Sequence, residues 1–89
     1  MKTYYVYINY SNDFDTYYIG QTQHFESRLA LHNAGLVKST KLYRPWVNGL
    51  LLEKPSRAQA MALEKKIKNL NRVRLLAFIE KYGPDEPTL

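Results

Sequence analysis

Two stretches near the start of the chain carry the residue types and alternation of β-strands. Tyr4-Tyr5-Val6-Tyr7-Ile8-Asn9-Tyr10 and Tyr17-Tyr18-Ile19-Gly20 are rich in aromatic and β-branched residues, which suit a pleated, half-buried surface. The run between them, Ser11 to Thr16, is polar apart from Phe14 and holds the turn formers Ser, Asn and Asp. The pattern predicts an N-terminal hairpin. In the first strand Tyr4, Val6, Ile8 and Tyr10 point one way, and Tyr5, Tyr7 and Asn9 the other. With Val6, Ile8 and Ile19 marking the core, Tyr7 and Tyr18 share the opposite face.

The period then changes from two to about 3.6. Thr22 is placed to cap a helix from about Gln23 to Asn33, with Phe25 and Leu29 inward and Arg28 and His32 on an adjacent stripe. Gly35 is placed to end that helix in the left-handed region. Residues 36–45 lack periodicity and read as a loop. Trp46 to Glu53 reads as a third strand interrupted at Asn48-Gly49, by a bulge because the apolar run resumes at once, with a separate turn as the alternative. Ser56-Arg57-Ala58-Gln59 matches a capping box. The helix it opens runs to about Asn69, with Ala60, Leu63, Ile67 and Leu70 inward and Glu64 at the edge of that stripe. Asn71 is placed to cap a last helix, Arg72 to Tyr82, with Val73, Leu76, Ile79 and Phe78 inward and Gly83-Pro84 as its stop. The expected fold is α+β: a small three-stranded antiparallel sheet flanked by three helices in the order β-β-α-β-α-α. It occupies one domain, residues 1–83, and residues 84–89 are expected to form a disordered tail.

Composition narrows the chemistry. The 89 residues include no cysteine, which excludes disulfides and thiolate metal sites. With no signal peptide and no apolar run long enough to span a bilayer, the expected setting is cytoplasmic, away from membranes. Thirteen Lys or Arg against eight Asp or Glu leave a net charge of +5. Between Arg28 and Arg74 the balance is eleven to two, a net of +9. Concentrated positive charge on a small domain suits a phosphate backbone, although high pI also serves solubility.

The ordered motifs resemble those of GIY-YIG nuclease domains, and most closely the small stand-alone bacterial members. Tyr5-Val6-Tyr7 stands where the family has Gly-Ile-Tyr, and Tyr18-Ile19-Gly20 matches the second motif as written. Arg28 and His32 follow on the first helix and Glu64 on the helix after the third strand. A basic loop, Lys38-Ser39-Thr40-Lys41, precedes Arg44-Pro45, and Asn69 falls near a position that is often polar in the family. The match covers roughly residues 3–70, with Tyr5 in place of the first motif's glycine.

The resemblance implies an endonuclease that hydrolyses DNA phosphodiester bonds with one divalent metal, Mg²⁺ or Mn²⁺, RNA not being excluded. It implies Glu64 as the metal ligand, since hard cations take carboxylate oxygen and keep their waters. Tyr7 would be the general base, with Arg28 lowering its pKa and gripping the phosphate. Tyr18 would orient the phosphate or water, and His32 would shuttle a proton or donate to the phosphate. Lys38, Lys41, Arg44, Lys66 and Asn69 would contact the nucleic acid. Taken singly, each residue has a plainer reading: Tyr7 and Tyr18 as packing, Arg28 as a surface cation, Glu64 as a solvated helix residue paired with Lys68. The alternative function is a non-catalytic nucleic-acid-binding module that keeps the fold. Structure-selective cutting in repair or recombination, with a homodimer or a protein partner supplying specificity, is the finer expectation.

Overall fold

The computed structural model describes residues 2–83. The expected tail at 84–89 lies outside the described residues. Three strands, β1 (Tyr4–Ser11), β2 (Thr16–Thr22) and β3 (Trp46–Lys54), form one antiparallel sheet in the order β2-β1-β3. Three helices complete the α+β fold: α1 (Phe25–Asn33), α2 (Arg57–Lys68) and α3 (Arg72–Tyr82). The order β-β-α-β-α-α is the expected one, and a single 3-10 turn, Lys41–Tyr43, breaks the loop before β3.

Both faces of central β1 are covered. Val6 and Ile8 pack with Leu50 of β3, Ala60 and Ile67 of α2, and Leu75 of α3 in the hydrophobic core. The opposite face presents Tyr7, Asn9 and Ser11, all buried. Its cover comes from α1, where Phe25 and His32 pack against the Tyr7 ring. The hairpin loop is tied to α3 by Arg72, which donates to Asp15 at 2.6 Å while Asp15 accepts from the Tyr10 hydroxyl.

The bulge forms where Asn48-Gly49 places it. Ile8 pairs with Leu50 and Asn9 with Asn48, so Gly49 is the extra residue. A Cβ at Gly49 would come within 3.1 Å of the Ile8 carbonyl oxygen. The extra residue reverses the alternation of β3 and brings Trp46 to the same face as Tyr7, where its ring approaches Tyr18.

Three local expectations need correction. α1 starts at Phe25, not Gln23, and its N-cap is His24 without a side-chain bond. Thr22 instead accepts from the His24 N–H one turn early, as the end of β2. On α1 the inward stripe is Phe25, Leu29 and His32, spaced by four and three; His32 therefore does not share an outer stripe with Arg28, which is exposed. On α3 the inward side is Leu75, Phe78 and Ile79, and Val73 is 77% exposed. The Ser56 and Asn71 caps hold, each accepting from the backbone N–H three residues on.

Candidate active site

The arrangement begins with a glycine. In the register of β1 and β2, Gly20 lies directly opposite Tyr7. The Tyr7 ring crosses over it: a Cβ at Gly20 would sit 2.5 Å from the Tyr7 oxygen. Absence of a side chain at Gly20 thus lets the phenol lie across the neighbouring strand. Tyr18 flanks it, with ring centroids 6.3 Å apart. The two hairpin phenols are side by side, as the alternation predicts.

From Tyr7 a buried hydrogen-bonded chain runs inward. Its oxygen is 3.1 Å from His32 Nε2, and His32 Nδ1 is 2.7 Å from Thr40 Oγ1. The Thr40 hydroxyl donates to the Val37 carbonyl at 3.4 Å. That direction makes Thr40 the acceptor for Nδ1–H, so Nε2 carries the lone pair and Tyr7 O–H donates to it. Tyr7, His32 and Thr40 are 2%, 1% and 1% exposed. The loop is clamped at the same point, because the Trp46 indole N–H donates to the Thr40 carbonyl at 3.1 Å.

Burial governs the titration of both groups. The Tyr7 phenol is pushed up to about 12, first by desolvation and then by Tyr18; Arg28 pulls it down and Glu64 pushes it up. Arg28 therefore acts in the expected direction but does not win, because charging a phenol in a nearly dry wall costs more than an exposed guanidinium returns. His32 is held below its ordinary value by desolvation, with the Arg28 charge second. It is a neutral imidazole at neutral pH. With the ring closed to solvent, His32 reaches the surroundings through Tyr7 and Thr40.

Glu64 occupies a separate groove. Gln21, Met61, Lys65, Lys68 and Asn69 are among its walls, and Tyr7, Tyr18 and Arg28 are not. The carboxylate is paired with Lys68 Nζ at 2.7 Å, the plain helical pairing that i, i+4 spacing permits. Arg28 lines a second, polar groove with Tyr4, Thr22, His24 and Arg57. Gln21 belongs to both grooves and is the seam between them. The four groups thus surround the end of β2 without sharing one open cavity.

The basic residues divide. Lys38, Lys41 and Arg44 are exposed on the loop that Thr40 anchors to His32, and Arg44 Nε donates to the Lys41 carbonyl at 2.7 Å. Asn69 lines the Glu64 groove. Lys66 does not; it faces a groove between α2 and α3. The lysines beside Glu64 are Lys65 and Lys68. Thr40 escaped the sequence reading as a partner of His32, although it sits inside the basic run Lys38-Ser39-Thr40-Lys41.

Among the described residues no three His, Cys, Asp or Glu side chains gather as a metal cage. The donor set fits a hard cation held by Glu64 alone and otherwise by water, which is how Mg²⁺ is commonly bound. A helical i, i+4 ion pair is commonly worth about 0.3–0.5 kcal/mol, so a divalent ion can displace the exposed Lys68 ammonium from the partly buried Glu64 at modest cost.

Comparison with known proteins places this geometry. The model of the GIY-YIG catalytic domain matches residues 3–76. A UPF0213 protein of Staphylococcus haemolyticus is 39% identical over 82 residues, covering 91% of this chain and 99% of that protein. The solution NMR structure of a UPF0213 protein from Bacillus halodurans superposes with a TM-score of 0.60 at 30% identity, covering 92% of this chain and 88% of that one.

Proposed function

The chain belongs to the GIY-YIG family, and from that premise we propose that it is a divalent-metal-dependent endonuclease that hydrolyses DNA phosphodiester bonds. The observation that carries the proposal is the bond from Tyr7 O–H to a neutral His32 Nε2. A phenol at about 12 is a poor base by itself. Joined to His32, it can take a proton from the attacking water while passing its own to Nε2. The imidazolium formed keeps its Nδ1–H on Thr40. Burial opposes that charge, and the negative phosphate is what offsets it. Arg28 supplies a forked donor to the phosphate, and Tyr18 orients phosphate or water beside Tyr7. Lys38, Lys41, Arg44 and Asn69 hold the backbone. Held by Glu64, Mg²⁺ or Mn²⁺ would neutralise charge on the phosphoryl oxygens and acidify bound water. Tyr7 and His32 are closed to solvent, so this reading requires docking of the substrate to open the wall around Tyr7.

The same closure, with the Glu64–Lys68 pair, favours a second reading: a nucleic-acid-binding module that keeps the fold without cutting. Plasmid nicking with Mg²⁺ or Mn²⁺ separates the two. The enzyme reading expects nicking by the parent and a loss of at least about 100-fold in Glu64→Ala, as removal of one charge-stabilising group commonly gives. No nicking by the parent supports the module; equal nicking by both proteins removes the metal role of Glu64. Selectivity for structured DNA in repair or recombination, with a second copy or a protein partner, is part of the proposal, as is a cytoplasmic setting. No helix among the described residues is long and apolar enough to cross a membrane.

A further inference from the structure

Lys66 stands two residues from Glu64, and on a helix that is about 200° of rotation. The two side chains leave α2 on opposite sides, so the groove holding Lys66 is distinct from the one holding Glu64. That second groove lies between α2 and α3. Lys66, Arg74 and Lys81 stand along it, and Leu70, Phe78 and Tyr82 supply its apolar surface. Among the described residues no Asp or Glu lines it. Phe78 and Tyr82 stack on each other with centroids 4.7 Å apart. Tyr82 is 48% exposed, and Lys81 Nζ sits 5.3 Å from the centre of its ring.

We propose that this groove binds an unpaired segment of nucleic acid, separately from the cleavage site. Three cations with no acidic side chain beside them among the described lining residues match a phosphodiester chain, and an exposed aromatic ring beside them matches the face of a base. In a duplex the base faces are buried against their neighbours, so a duplex could use the cations but not the rings. An acidic peptide would likewise leave the aromatic surface idle. At about 280 Å³ the groove is at the small end of ligand sites, which suits one or two nucleotides at a time. An endonuclease carrying such a groove on the far side of α2 can grip a single strand that leaves the duplex it cuts. The binding itself does not depend on cleavage.

Fluorescence anisotropy of the full chain with a labelled oligo-dT, and with a duplex of equal length, tests the proposal. Tyr82→Ala should weaken oligo-dT binding about tenfold, within the usual range for losing one stacked base. It should leave duplex binding unchanged. Tyr82→Phe keeps the ring and should bind as the parent does. Arg74→Gln should weaken oligo-dT binding and lower the salt slope by about 0.7, one phosphate contact's share. The Tyr82→Ala loss should persist in an Arg28→Gln background, where the cleavage face is impaired. Should Tyr82→Ala unfold, weaker oligo-dT binding by folded Arg74→Gln and Lys81→Gln keeps the test open. Equal oligo-dT affinity in the parent and folded Tyr82→Ala overturns the proposal. So does equal displacement of oligo-dT by polyglutamate, which would give the groove to an acidic protein.

Discussion

The two faces of β1 are built from alternate residues of one strand and solve opposite problems. Val6 and Ile8 enter an interior made of Leu50, Ala60, Ile67 and Leu75, where every contact is apolar and non-directional. Tyr7, one position away, enters an interior where phenol, imidazole and hydroxyl must meet at 3.1 and 2.7 Å. The first face tolerates repacking, because hydrophobic attraction has no preferred direction. The second does not, since a buried polar group left without its partner costs about 1–3 kcal/mol. The apolar core thus lies on the α2–α3 side of the sheet, and the buried polar chain on the α1 side.

The contrast can be broken most severely at Leu50. Leu50→Ala should remove about 2–5 kcal/mol, as large-to-small core changes do. Urea unfolding should show a midpoint shift at unchanged slope, and a loss below 1 kcal/mol would mean that the apolar face is not the stabilising one. Next comes Gly20→Ala, which forces a methyl group against the Tyr7 oxygen. Overpacking should cost about 1–3 kcal/mol, and nicking should fall much further than stability because the phenol leaves Nε2. Parallel losses, or unchanged nicking, would deny the Tyr7–His32 bond its role. The smallest effect sharpens the contrast through pH. His32 titrates below its ordinary 6.5, so the unfolded chain binds the extra proton first as acid is added. Its contribution is whole above pH 6.5 and is lost as pH falls through the folded-state value. The melting temperature should decline across that limb, and less so in His32→Gln. Identical acid limbs in the two proteins would show that the buried imidazole is not the group responsible.

Much of this was legible because it is local. The hairpin, the bulge at Asn48-Gly49 and the Ser56 and Asn71 caps follow from residue types and short spacings. The errors arise where local pattern is degenerate or the partner is distant. α3 carries apolar residues on more than one side, so periodicity admits Val73 and Leu76 as readily as Leu75, Phe78 and Ile79. His32 completes a stripe with Phe25 and Leu29, but a polar residue does not announce burial until a partner such as Thr40 is known. Lys66 and Glu64 are neighbours in the chain and opposites on the helix. The titration of Tyr7 could be read only as a list of nearby charges, whereas desolvation, invisible in a sequence, outweighs them.

Gly49 divides the edge strand β3 into two segments of opposite phase. Leu50 and Leu52 belong to the apolar interior, whereas the Trp46 indole holds the loop whose Thr40 meets His32. Removing that single residue would rotate the indole to the wrong side of the sheet and detach Thr40 from its clamp, with Tyr7, His32 and Thr40 themselves unaltered. In this protein the length of β3 therefore shapes the Tyr7–His32–Thr40 arrangement as much as the identity of any residue within the strand.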